Sequence, residues 1–203
     1  MKLFEMVLAE RFSSNLRRMG FKGDDWQMRR CVSPFIHCVW VQERSDKAAV
    51  CLNLGVHLDF IPTVTGKMPT IDIIEQPDCE IKYRLVMEGE RDQWWSKDEP
   101  EKAADEMYDL FKTVGRAFLA QFEVFPGVLG SLSRDDIESG KASLYLSGMT
   151  RVRIALLLAR VWYHIGESEK MVEFAEYGMR IAGVASGPKA VLKDLLNKAR
   201  LTE

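Results

Sequence analysis

The sequence has no glycine-rich phosphate loop. Neither G-x-x-x-x-G-K-[ST] nor G-x-G-x-x-G occurs, so the P-loop and dinucleotide-binding classes lose their signature. H-E-x-x-H and G-x-S-x-G are also missing, which removes the zincin and α/β-hydrolase patterns. Histidine is scarce, with three residues: His37, His57 and His164. The four cysteines, Cys31, Cys38, Cys51 and Cys79, form no C-x-x-C pair, and no histidine follows them at finger-like spacing. Neither a metal site nor a cofactor is expected, and the cysteines are expected as reduced, buried, small hydrophobes. Charge of one sign is not in excess: 28 Lys and Arg face 30 Asp and Glu, a net charge of −2. That gives no broad basic field for nucleic acid. Long apolar runs are missing as well. The longest, "IALLLARVWYHIG", is broken by Arg160 and is too short to span a bilayer. The opening "MKLFEMVLAERF" is interrupted by Glu5, Glu10 and Arg11, unlike a signal peptide. A cytoplasmic protein with neither nucleic-acid nor membrane partners is expected.

What is present is a globular composition, 47% hydrophobic, on a chain long enough to bury a sizeable core. Leu3, Phe4, Val7, Leu8, Phe12 and Leu16 recur at three- and four-residue steps, which predicts a helix ending near Met19-Gly20. A strand-rich region follows, with period two in "WQMRRCV", "FIHCVWVQ", "AAVCLNLGVHLDF" and "CEIKYRLV". "IPTVTGKMPT" reads as a loop. The period then returns to that of a helix. Pro100 sits near the first turn of a helix over about 99–122, with Ala104, Met107, Leu110, Phe111, Val114, Phe118 and Leu119 as its apolar stripe. The last third is helical, with stops at Gly166 and Gly183. The expected fold is α+β: an antiparallel sheet of about four to five strands with helices on one face, then a C-terminal helical bundle. The expected division is an α+β domain over 1–125 and a helical extension over 126–203, docked on the same domain.

Candidate chemistry lies on the polar face of the sheet. In the third strand the apolar residues are Val50, Leu52, Leu54, Val56 and Leu58, and the other face carries Cys51, Asn53, Gly55, His57 and Asp59. Arg84 is on the polar side of the next strand. If the two strands pair, Asn53, His57, Asp59 and Arg84 converge on a wet face. Asp59 could then fix the tautomer of His57, and Arg84 could hold an anion. The plain alternative is a solvated face on which Arg84 pairs with Glu80 or Asp59. Trp94 and Trp95 follow the strand and cannot both point the same way. One belongs to the core, and the other at a rim beside arginine has the character of a binding anchor.

Four short segments occur in order: "MGFKGDDWQMRR", "VCLNLGVHL", "CEIKYRLV" and "WW". In this the chain resembles the bacterial domain-of-unknown-function family numbered 4304, over about residues 3–122. One departure is Val86, where the pattern leads one to expect glycine after Arg84-Leu85. The resemblance implies no established activity and singles out Asn53, Gly55, Arg84, Trp94 and Trp95.

The leading expectation is a non-enzymatic module that binds another protein, with immunity-type neutralisation of a toxin as one form. The alternative is a small-substrate hydrolase or transferase using His57 as base and Arg84 as anion holder. The apolar "IALLLARVW" run also suits a homodimer seam through the C-terminal helices.

Overall fold

In the structure, a computed structural model that describes residues 3–63, 65–146 and 148–201, the first element obeys the apolar periodicity. Helix α1 (3–18) buries Phe4, Val7, Leu8, Phe12 and Leu16, while Leu3 at its end is exposed. It ends at Gly20, whose φ of 87° is one that a side chain would resist. Its middle turn, Leu8–Ser13, widens into a π-helix.

The sheet is six-stranded and antiparallel throughout. The strands are β1 (Lys22–Gly23), β2 (Gln27–Val32), β3 (Phe35–Glu43), β4 (Ala49–Leu58), β5 (Ile81–Arg84) and β6 (Trp95–Ser96). β1 to β5 are neighbours in chain order, and β6 pairs β4. β5 and β6 therefore share one edge of β4, opposite 53–56 and 49–50 respectively. The two-residue strands β1 and β6 carry no alternation to read. The second residue of "WW", Trp95, is half of β6.

Helix α2 (100–120) crosses the same face as α1 and has its own π-helical turn, Phe111–Gly115. The two π turns meet edge to face through Phe12 and Phe111, 6.3 Å apart. Phe21 adds a second edge on Phe111 at 6.1 Å, and Tyr83 of β5 stacks on Phe118 at 4.8 Å. Val50, Leu52, Leu54, Val56 and Leu58 of β4 are fully buried on this side. Each such side chain contributes ~1.5–3 kcal/mol through apolar burial.

The other face is not the open wet surface that alternation suggested. All ten residues of β4 are buried. The segment after β4 folds back over its odd-numbered side chains. It is read as a loop, and within it Val64 lies outside the described residues. Gln76, at the start of a 3-10 turn (Gln76–Asp78), donates from Nε2 to the Leu54 carbonyl (3.1 Å). Cys79 joins Cys38, Ile36 and Ile74 in a second, smaller core.

The chain divides into two compact units, Met1–Glu123 and Val124–Glu203. The second is helical: α3 (Gly127–Ser131), α4 (Arg134–Glu138), a 3-10 turn (Lys141–Leu144), α5 (Arg151–Ile165), α6 (Ser168–Ile181) and α7 (Ser186–Arg200). The short helix α3 forms within "FPGVLGSLS". A capping box opens α4. Asp136 N–H donates to Ser133 Oγ (3.2 Å), and Ser133 N–H donates to the Asp136 carboxylate (2.9 Å). Helix α5 packs on α6 and α7, and its run Ile154, Ala155, Leu156, Leu157, Leu158, Ala159, Val161 and Trp162 is buried. No helix among the described residues is long and apolar enough to cross a membrane.

Gly55 is a tight point of the central strand β4. A Cβ there would lie 2.7 Å from Cys79 Sγ and 2.9 Å from Cys79 Cβ. We expect Gly55→Ala to destabilise the protein by about 1–3 kcal/mol, as overpacking does. Urea unfolding checks this as a lower midpoint at unchanged slope.

Candidate functional site

The polar cluster is built at the gap between β5 and β6. Arg84 ends β5 directly opposite Asn53 of β4, and Trp94 precedes β6 on the same edge. Strand alternation puts Asn53 and Arg84 on one face. Arg84 Nη1 donates to Asn53 Oδ1 (3.4 Å), and Asn53 Nδ2 donates to Gln42 Oε1 of β3 (3.0 Å). The turn 85–94, exposed over 87–92, returns Asp92 to this point. Arg84 Nη2 donates to Asp92 Oδ1 (2.6 Å), and the Trp94 indole N–H donates to Asp92 Oδ2 (2.6 Å). The Arg84 guanidinium lies 4.6 Å from the centre of the Trp94 ring, with the Arg44 guanidinium at 5.8 Å from the same ring. Arg44 is itself held by Asp46 (2.7 Å).

Desolvation pulls the Asp92 carboxyl upward. The Trp94 hydrogen bond and the Arg84 charge outweigh it and hold Asp92 below the usual carboxylate value. The carboxylate is therefore ionised at neutral pH and keeps both its donors. Cys51 lies beside Asn53, with Sγ 3.6 Å from Nδ2. Burial pushes its thiol above the ordinary value, against the opposing charge of Arg84. A neutral, buried thiol is a poor nucleophile.

The remaining sequence candidates do not join this cluster. His57 is 0% exposed. Its Nε2 donates to the Ile61 carbonyl (2.8 Å), and its Nδ1 accepts the Glu80 N–H (3.1 Å). Both ring nitrogens are committed to backbone, so the geometry argues against a general base. Asp59 lies past the end of β4, exposed, where it accepts from Ser33 Oγ (3.3 Å). Trp95 pairs with Val50 and is 4% exposed, in the helix-side core. Arg84 pairs with neither Glu80 nor Asp59 but with Asp92. Val86 follows β5 in the open turn. Sequence reading missed Gln42, Arg44 and Asp92. Gln42 stands out as a polar residue in an apolar strand, whereas Asp92 looks like any acidic residue of a solvated turn. Among the described residues no group of three or more His, Cys, Asp and Glu is placed to hold a metal ion.

A second buried histidine sits on the opposite face. His37 of β3 donates from Nε2 to the Phe122 carbonyl (2.9 Å) just past the end of α2, and its Nδ1 lies 3.3 Å from Arg30 Nη2. It thereby satisfies a carbonyl left open where a helix stops.

With the fold and cluster described, the class is that of an α+β domain whose sheet edge carries an Arg–Asp–Trp clamp. The family model for the domain of unknown function DUF4304 matches residues 12–121, and the chain belongs to that family. The match takes in Gln42, Asn53, Arg84, Asp92 and Trp94 and ends before the C-terminal helices. No curated protein and no solved structure matches the chain.

Burial is the main cause that lowers the His37 pKa to about 4, aided by the charge of Arg30 and opposed by the Phe122 hydrogen bond. In an unfolded chain it titrates near the ordinary 6.5. Between these values the unfolded state binds the extra proton, so stability falls as pH drops from about 6.5 to about 4. The loss amounts to roughly 3 kcal/mol. We expect His37→Gln, neutral throughout, to flatten this part of the stability–pH curve measured by urea unfolding.

Proposed function

We propose that this is a cytoplasmic bacterial protein that acts by binding another protein through the Arg84–Asp92–Trp94 edge. The observation that carries the reading is Trp94, a half-buried indole flanked by two guanidiniums and pinned by a shared carboxylate. Exposed ion pairs and cation–π contacts contribute no more than about 1 kcal/mol each. Stability alone is a weak reason to order an exposed turn in this way. A rigid Trp–Arg pair beside a cleft is the arrangement that anchors interfaces, because its entropy is lost before the partner arrives.

The cleft beside Trp94 has a volume of about 240 Å³ and is lined on its α2 side by Glu99, Lys102 and Glu106. Lys102 is paired with Glu99 (2.9 Å), which leaves Glu106 as the surplus charge. The cleft suits one basic side chain of the partner. Toxin neutralisation of the immunity type is one process that such a surface serves, and self-association through the C-terminal helices is compatible with it.

Affinity capture from lysate of the source organism, read by mass spectrometry, tests the proposal. Trp94→Ala and Arg84→Ala are expected to lose a specific partner by about thirtyfold, the loss typical of an interface anchor. Met6→Ala, at an exposed position on α1, should retain it. Capture that is indifferent to both edge substitutions, in variants that fold, would show that this edge is not the interface.

A further inference from the structure

A larger cleft than the one beside Trp94 lies elsewhere on the first unit. It opens between the Gly20–Phe21 turn, β2 and α2 and has a volume of about 510 Å³, within the usual range for small-molecule sites. Phe21, Phe111 and Leu119 lie buried behind its wall, and the apolar surface that reaches the cleft comes from Met19, Ala117 and Ala120. Arg30, Lys112 and Arg116 line it as well, against a single carboxylate, Glu123.

These cations are not in equivalent states. Arg30 is held in place by a contact over the Phe21 ring (5.1 Å), a hydrogen bond to Glu123 (2.8 Å) and the approach to His37. Its Nη2 serves both Glu123 and His37, while Nη1 has no acceptor among the described residues. Its Nε is buried without a partner, a cost that a fold seldom carries without a use for the group. Lys112 is tethered to Asp109 (2.8 Å), outside the cleft lining. Arg116 makes no ion pair among the described residues. The neutral His37 behind Arg30 adds no charge of its own. Glu123 offsets one cation and Asp109 another, so the cleft keeps a surplus of about one positive charge beside its apolar lining.

The backbone adds a separate observation. Phe111, Lys112 and Thr113 belong to the π-helical turn of α2. A π turn is costlier than regular helix and recurs at functional sites. Here Lys112 and Thr113, both exposed, lie on the lining while Phe111 is buried behind it.

We propose that this cleft binds a small organic anion, a carboxylate or phosphate carried on a flat apolar body. The charged end would meet Arg30 Nη1 and Arg116, and the apolar end would lie against Met19, Ala117 and Ala120, over the buried Phe21 and Phe111. Guanidiniums suit this task because their planar donors match both anions.

NMR titration of the full chain tests this, with phenyl phosphate and benzoate as probes. Inorganic phosphate and benzyl alcohol represent the two halves alone. Either aryl anion should give saturable shifts at the amides of Phe21 and Phe111–Gly115, with a dissociation constant of the order of 1 mM. Each half alone should bind at least about tenfold more weakly. A preference for benzoate or for phenyl phosphate identifies the headgroup. Arg116→Gln, at an exposed position, should weaken binding by about tenfold. Ala120→Trp, also exposed, should block the cleft without changing charge. The proposal is overturned if neither aryl anion shifts these amides, or if affinity is unchanged in Arg116→Gln. It is also overturned if inorganic phosphate alone binds as well as phenyl phosphate.

Discussion

The central strand β4 is buried along its whole length, on both faces, and the rest of the first unit is arranged to make that possible. One face is simple. Val50, Leu52, Leu54, Val56 and Leu58 lie under α1 and α2, where aliphatic side chains and phenylalanine edges fill the space. The other face is not, because it offers a thiol, an amide, a glycine and an imidazole in succession. Buried polar groups must find partners, since each left unpaired costs ~1–3 kcal/mol. Covering this face therefore requires donors and acceptors at defined places as well as apolar area.

The chain meets that requirement in two ways. Over the far half of β4, the segment following the strand closes down on Gly55, with the Ile61 carbonyl and the Glu80 N–H meeting the two nitrogens of His57. Over the near half, Gln42 and Arg84 satisfy Asn53. Arg84 still has charge to spare, which draws in Asp92 and with it the indole of Trp94. The edge cluster thus begins as a solution to the burial of Asn53. It becomes a candidate binding surface because the groups that solve it end at solvent.

Much of the framework was legible from local periodicity. The principal strands, both long helices of the first unit and the three C-terminal helices follow from where apolar residues recur. β1 and β6 were not legible, because two residues carry no period. The wet sheet face was a misreading with a clear cause. Alternation distinguishes polar from apolar positions, but it does not say whether a later loop will cover the polar ones. His57 illustrates this: beside Asp59 in sequence it resembles acid–base equipment, yet its partners lie in segments no local pattern connects to it. Asp92 is hidden for the same reason, as its role depends on a turn returning to Arg84.

The sequence alone determined the class of fold, the placement of Asn53 and Arg84 on the polar faces of their own strands, and the opposite orientation of the two tryptophans. Each follows from the period-two geometry of a strand, which is a local property. Tertiary structure alone decided which tryptophan faces solvent, that His57 is sealed while Arg84 stays at the rim, and that Arg30 and Arg116 share a cleft. Those outcomes depend on where distant segments return to the sheet, and that is set by the satisfaction of buried groups many residues apart.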